Sequence, residues 1–197
     1  LPFGVWVAHS LQKLGKSRPW IEAALALPLV LPPTVLGYYL LVGFGGRNLF
    51  GIPLVFSFAG ILIASLIVNL PFAIQPIQRA FESINPEIRE AAQVSGLSNW
   101  QIFRLIELPL AWRGITSAAV LTFAHTLGEF GVVLMVGGAI PGETKTVSIA
   151  IYDKVQSFDT SGAGALSLFL LAVSLIAIAL SYGVFGRSPL HQRNRRA

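Results

Sequence analysis

Long uncharged, apolar stretches alternate with short polar clusters along this chain, and four of the stretches are long enough to cross a lipid bilayer. A hydrocarbon core of about 30 Å takes roughly 20 apolar residues at about 1.5 Å rise each. Residues Ala23–Gly46, Asn48–Gln78, Gly114–Gly142 (interrupted only by Glu129) and Thr160–Gly186 meet that length, and each predicts one transmembrane helix. A fifth apolar stretch, Leu1–Gln12, is too short to span alone and reads as the inner half of a helix whose start is missing. A secretory leader wants positive charge ahead of its apolar run, whereas here Lys13, Lys16 and Arg18 follow it. The expectation is an all-α, polytopic transmembrane bundle. It has five core spans, the first truncated, within a single membrane domain covering residues 1–197.

Inside the predicted spans, Pro28, Pro32 and Pro33 fall in the second, and Pro71 and Pro76 fall in the third. Proline is tolerated in membrane helices where neighbours or water take up the freed carbonyls, so these helices should bend. The bends serve either helix packing or a polar route lined by broken backbone, and the sequence leaves both open. Small residues in the fourth and fifth spans, among them Gly114, Thr116, Ser117, Gly162, Gly164 and Ser167, suit close helix contact.

Composition agrees with a membrane setting: 54% of residues are hydrophobic and only 12% charged, with a mean hydropathy of +0.69. A net charge of +5 would raise nucleic-acid binding in a soluble protein, so the placement of the basic residues decides its meaning. Counting loops alternately, Lys13, Lys16, Arg18, Arg79, Arg89, Arg104, Arg113, Arg187, Arg193, Arg195 and Arg196 share one side, against Arg47, Lys145 and Lys154. The positive-inside rule assigns the larger set to the cytoplasm. The C-terminus is then cytoplasmic, and the basic tail reads as a topology signal rather than a nucleic-acid site. The absence of cysteine excludes disulfides and thiolate metal sites.

The longest loop on the basic side, residues 79–109, carries helix punctuation. Asn85-Pro86-Glu87 is a cap, a first-turn proline and an early acid. Ile88, Ala91, Ala92 and Ser95 then form one narrow stripe at i, i+3, i+4 and i+7, and Gly96 stands where a helix-ending glycine is expected. Ser98 and Gln101 make a capping box for a second short helix, which Pro109 should end. A stripe of small residues is poor core material but suits close docking into another protein's groove.

Glu90-Ala91-Ala92, three residues, Gly96, nine residues, then Ile106-Glu107-Leu108-Pro109 resembles the EAA loop of ABC importer permeases. Leu29 to Tyr38, Leu127-Gly128-Glu129-Phe130-Gly131 and Gly138 to Thr144 look like the molybdate and sulfate branch. Ile140-Pro141-Gly142-Glu143-Thr144 and Ile151-Tyr152 look more like molybdate. The resemblance implies a type I importer permease fold in the bacterial inner membrane. It also implies a second permease copy, separate ATP-binding cassette subunits that handle ATP and Mg, and a periplasmic substrate-binding protein, with lipid around the bundle. Glu90, Ala91, Ala92, Ser95, Gly96, Ile106, Leu108 and Pro109 would then form the ATPase-coupling element. Tungstate, sulfate and thiosulfate are alternative cargoes, and an ion-coupled secondary transporter is the alternative of a different class.

No catalytic constellation is evident, since His9, His125 and His191 are scattered and no Gly-x-x-x-x-Gly-Lys-Ser phosphate loop occurs. This chain is therefore expected to bind no cofactor and catalyse no reaction itself. Within the fourth span, Thr122, His125, Thr126 and Glu129 are the candidate translocation pathway or gate. His125 and Glu129 stand four residues apart, on one face of a helix, and an ionisable pair at that depth is rarely lipid-facing. The pair either holds helices together or borders the route between two permease copies. A carboxylate repels an oxyanion, so Glu129 is not expected to be its ligand.

Overall fold

The computed structural model describes residues 1–12 and 14–185, with side chains as far as residue 180. Lys13 and the tail residues Arg187, His191, Arg193, Arg195 and Arg196 lie outside the described residues. The chain runs α1 (Pro2–Leu11), α2 (Arg18–Val30), α3 (Pro33–Phe44), a hairpin of β1 (Asn48–Leu49) and β2 (Ile52–Pro53), and α4 (Phe58–Glu82). It continues through α5 (Pro86–Val94), α6 (Asn99–Ile102), a π-turn (Phe103–Glu107), α7 (Leu108–Gly128), α8 (Gly131–Gly137), α9 (Val147–Gln156) and α10 (Thr160–Phe185). The all-α bundle predicted from the sequence is what forms; the hairpin is a small addition. Its turn residues Phe50 and Gly51 have φ of 52° and 82°, the left-handed pair that a tight two-residue turn requires.

Among the described residues two helices, α4 and α10, are long and apolar enough to cross a membrane alone, and up to four crossings result if each of two bent pairs is one span. The stretch predicted as one second span is two helices meeting at 109°. The cause is local: residues ahead of proline avoid the helical region, and Leu31 and Pro32 take ψ of 137° and 136° ahead of Pro32 and Pro33. By contrast α4 absorbs Pro71 and Pro76 without ending, over 25 residues. It starts on Ser57, whose hydroxyl accepts the Gly60 N–H at 3.1 Å.

The interior is built in two tiers along α4. At the loop end, Ala8 and Leu11 of α1 meet Ile74, Ile77 and Phe81 of α4 and Ala111, Ile115 and Ala118 of α7. At the other end, Ile61, Ala64 and Val68 of α4 meet Val132, Val133 and Val136 of α8 and Ile149 of α9. The α4–α7 crossing is close because Gly114 has no side chain. A Cβ there would overlap that of Ala80 and come within 3.1 Å of the Pro76 carbonyl oxygen.

One helix end in the loop differs from the sequence reading. Pro109 was expected to end the second loop helix, yet the helix runs through it, from Asn99 across the π-turn to Gly128. The Leu108 N–H reaches the Phe103 carbonyl, five residues back. That widened turn accommodates a ring that would otherwise collide with the carbonyl of the preceding turn. The loop is therefore one free helix, α5, followed by a helix continuous with the fourth span, rather than a self-contained helix pair.

Candidate functional site

The loop forms as its punctuation predicts. Asn85 Oδ1 accepts the Glu87 N–H at 3.0 Å. At the other end of α5, Gly96 adopts φ of 82°, while its N–H reaches the Gln93 carbonyl and the Leu97 N–H reaches that of Ala92. This double bond pattern closes a helix on a left-handed residue, which glycine takes without steric cost. Ser98 and Gln101 complete the capping box, Gln101 Oε1 accepting the Ser98 N–H at 2.8 Å. Glu90, Ala91 and Ser95 are exposed, as are Ile88 and, at 90%, Val94.

Ala92 is a correction. It is buried within this chain, at 6% exposure, so the outward stripe consists of Ile88, Ala91 and Ser95 and not of all four predicted positions. Of the residues after Gly96, Leu108 packs against the loop-end core, Ile106 is half-buried and Pro109 is exposed.

The second feature lies at the helix breaks. α7 stops at Gly128, Glu129 takes an extended ψ of 123°, and α8 sets off from Gly131 at 60° to the preceding helix. Facing it is the proline break between α2 and α3. Between the two breaks lies a cavity of about 640 Å³, lined by Pro28, Leu31, Pro33 and Thr34 on one side, by His125, Gly128, Glu129 and Phe130 on the other, and by Val68 and Phe72 of α4.

His125 and Glu129 both border this cavity, but not as a stacked helical pair, because Glu129 has left the helix. They are joined through Asn69 of α4, which is buried at 5% exposure. Asn69 Oδ1 lies 3.0 Å from His125 Nδ1, so the imidazole N–H donates to it. Its Nδ2 donates to the Ser65 carbonyl at 2.8 Å and to Glu129 Oε2 at 3.4 Å. Ser148 Oγ of α9 donates to the Glu129 carbonyl at 2.8 Å, and the His125 ring stacks on Phe72 with centroids 3.8 Å apart. Thr122 and Thr126 do not border the cavity; the Thr126 hydroxyl donates to the Thr122 carbonyl at 2.7 Å.

Asn69 was not singled out from the sequence. Its signal was an amide isolated in an apolar run, and an unpaired amide in hydrocarbon is expensive. A further polar group unremarked in the sequence joins α2 to α4 at the loop end. Arg18 pairs with Glu22 at 2.6 Å and with Glu82, and Gln78 Nε2 donates to Glu22 at 2.5 Å and to Glu82 at 3.0 Å.

Broken apolar spans beside a half-open cavity, with a capped helix held out at one end, form a polytopic helical bundle of the membrane-permease kind. The chain belongs to the family described as the binding-protein-dependent transport system inner membrane component, whose model matches residues 1–188. It is 41% identical over 189 residues to the molybdenum transport system permease protein of Azotobacter vinelandii, covering 92% of this chain and 82% of that one. With the corresponding protein of Escherichia coli K12 it shares 36% over 191 residues, covering 92% and 83%. With the E. coli sulfate transport system permease protein it shares 32% over 184 residues, covering 89% and 66%. Its fold matches a chain of a bacterial ABC transporter involved in importing the polysaccharide alginate, with a TM-score of 0.75 at 20% identity over 95% of this chain and 73% of that one.

Proposed function

We propose that this chain is the membrane subunit of an ATP-driven importer that carries molybdate across a bacterial inner membrane. The observation that carries the reading is similarity to molybdenum permeases along nearly the whole chain, stronger than that to a sulfate permease. In this reading, residues 1–197 are one membrane domain, 79–109 its cytoplasmic coupling loop, and the C-terminus lies in the cytoplasm. ATP and Mg are handled by separate cassette subunits, two copies of this chain pair, and a periplasmic protein delivers the anion.

The exposed face of α5, with Glu90, Ala91 and Ser95, docks into the ATPase cleft, and Gly96 fixes the exit of that helix. Ala92, Ile106, Leu108 and Pro109 support it from within the chain. The cavity between the helix breaks is the anion route. Its mostly apolar walls, with Thr34, His125 and Glu129 the side chains that bring polar groups to the lining, suit transient passage rather than tight binding. Glu129, engaged by Asn69, holds the break in place and is not an anion ligand; Thr122, His125 and Thr126 belong to the same gate region.

The test is reconstitution with the cassette subunits and the binding protein in liposomes, followed by ATP-dependent uptake of molybdate, tungstate and sulfate. Uptake of molybdate at substrate levels where sulfate is left outside is expected. Preference for sulfate would overturn the assignment of cargo, and uptake that needs no ATPase would overturn the class.

A further inference from the structure

Besides the buried Ala92, a polar side chain that no motif specifies ties the coupling helix α5 to the rest of the chain. Arg89, on the same side of α5 as the buried Ala92, forms an ion pair with Glu107 of the π-turn. Its guanidinium also donates to Gln12 Oε1, just past α1, at 2.7 Å and to the Phe81 carbonyl near the end of α4 at 3.4 Å. Glu107 is buried at 4% exposure, and its second oxygen lies 3.3 Å from His9 Nδ1 of α1. One planar fork thus reaches α1, α4 and the π-turn leading into α7 simultaneously, which a single-point ammonium cannot do.

A carboxylate buried at this depth is tolerable only while paired, and separating a buried pair is far more disruptive than replacing both partners with apolar groups. Any displacement of α5 must therefore either expose Glu107 or carry the loop ends of α1, α4 and α7 with it. We infer that Arg89, through Glu107, is the positioning residue that makes α5 move together with the loop ends of α1, α4 and α7. This inference rests on the importer reading for its functional consequence, though not for the mechanical link itself.

The experiment compares the parent with the Arg89→Met/Glu107→Leu double variant and with Arg89→Lys. On the purified permease alone, amide hydrogen exchange across α5 and the π-turn is expected to rise at least tenfold in the double variant and less in Arg89→Lys, which keeps a cation opposite Glu107. In the complex with its ATPase, stimulation of ATP hydrolysis by molybdate-loaded binding protein is expected to fall at least fivefold in the double variant, with Arg89→Lys in between. Unchanged exchange, or an assembled double variant stimulated to within twofold of the parent, overturns the inference. So does a double variant that cannot fold, since the pair would then serve folding alone. A parent complex that loaded binding protein fails to stimulate contradicts the importer reading instead, and the exchange comparison still decides the link.

Discussion

The α4–α7 crossing offers a quantitative test of how the bundle is held together. In Gly114→Ala, the new methyl would overlap the Ala80 Cβ and press to 3.1 Å from the Pro76 carbonyl oxygen. Overpacking of a close contact costs typically about 1–3 kcal/mol. At about 2–4 °C per kcal/mol for a chain of this size, the thermal midpoint in detergent should fall by about 2–12 °C. The reciprocal change isolates the cause. Ala80→Gly alone should cost about 1 kcal/mol in helix propensity, but combined with Gly114→Ala it moves the methyl across the interface and relieves the main overlap. The double variant should therefore be more stable than the sum of the singles by about 0.5–3 kcal/mol. The assay is a double-mutant cycle on thermal unfolding of the purified chain. Additive singles, or a Gly114→Ala variant as stable as the parent, would refute the close-crossing argument.

Glu129→Gln and Asn69→Leu probe the cavity: the leucine variant should lose about 1–3 kcal/mol as His125 and Glu129 lose their shared partner, read from thermal unfolding. Glu129→Gln should assemble but lower molybdate uptake severalfold; normal uptake would sink its role in the gate. Gly96→Val forces a β-branched residue to φ of 82°, which should cost about 1–2 kcal/mol or more and uncouple ATP hydrolysis while leaving membrane insertion intact. Asp159 accepts from Lys154 at 2.6 Å and from the Gly162 N–H at 2.9 Å. The Lys154 bond first, then the backbone bond, hold its carboxyl below the ordinary value of 3.8. Its support for the start of α10 is therefore present above about that pH and lost as pH falls through the lowered value; amide exchange at Gly162 should accelerate there, and Asp159→Asn should abolish the pH dependence.

The features legible in the sequence are those written within a few residues of themselves. Asn85-Pro86-Glu87, Gly96 and the Ser98–Gln101 box each encode a cap that depends on neighbours at most five positions apart, and each forms as read. Span length is equally local, being a count of uncharged residues. Pro109 was misread because its tolerance depends on the π-turn ahead of it, whose extra residue has no compositional mark. Ala92 was placed on the outward stripe because helical spacing groups residues but does not say how wide the buried face is. Asn69 and Glu129 are 60 positions apart, and Arg89 and Gln12 are 77 apart. Such partnerships come only from the packing of α4, α7 and α1, which no periodicity reveals.

The unbroken helix from Asn99 to Gly128, pinned where it crosses α4 at Gly114, has the proportions of a balanced lever. Fifteen residues lie on the loop side of the fulcrum and fourteen on the cavity side, arms of about 22 Å and 21 Å at 1.5 Å per residue. With arms so nearly equal, a rigid tilt that pushes Asn99 sideways would return a displacement of nearly the same size and opposite sense at Gly128, and about three-quarters of it at His125, eleven residues from the fulcrum. In the proposed importer, a loop movement of a few ångströms would then need no amplification to change the gap between the two broken helices, and stiffness, rather than reach, would be the property that substitutions along this rod have to preserve.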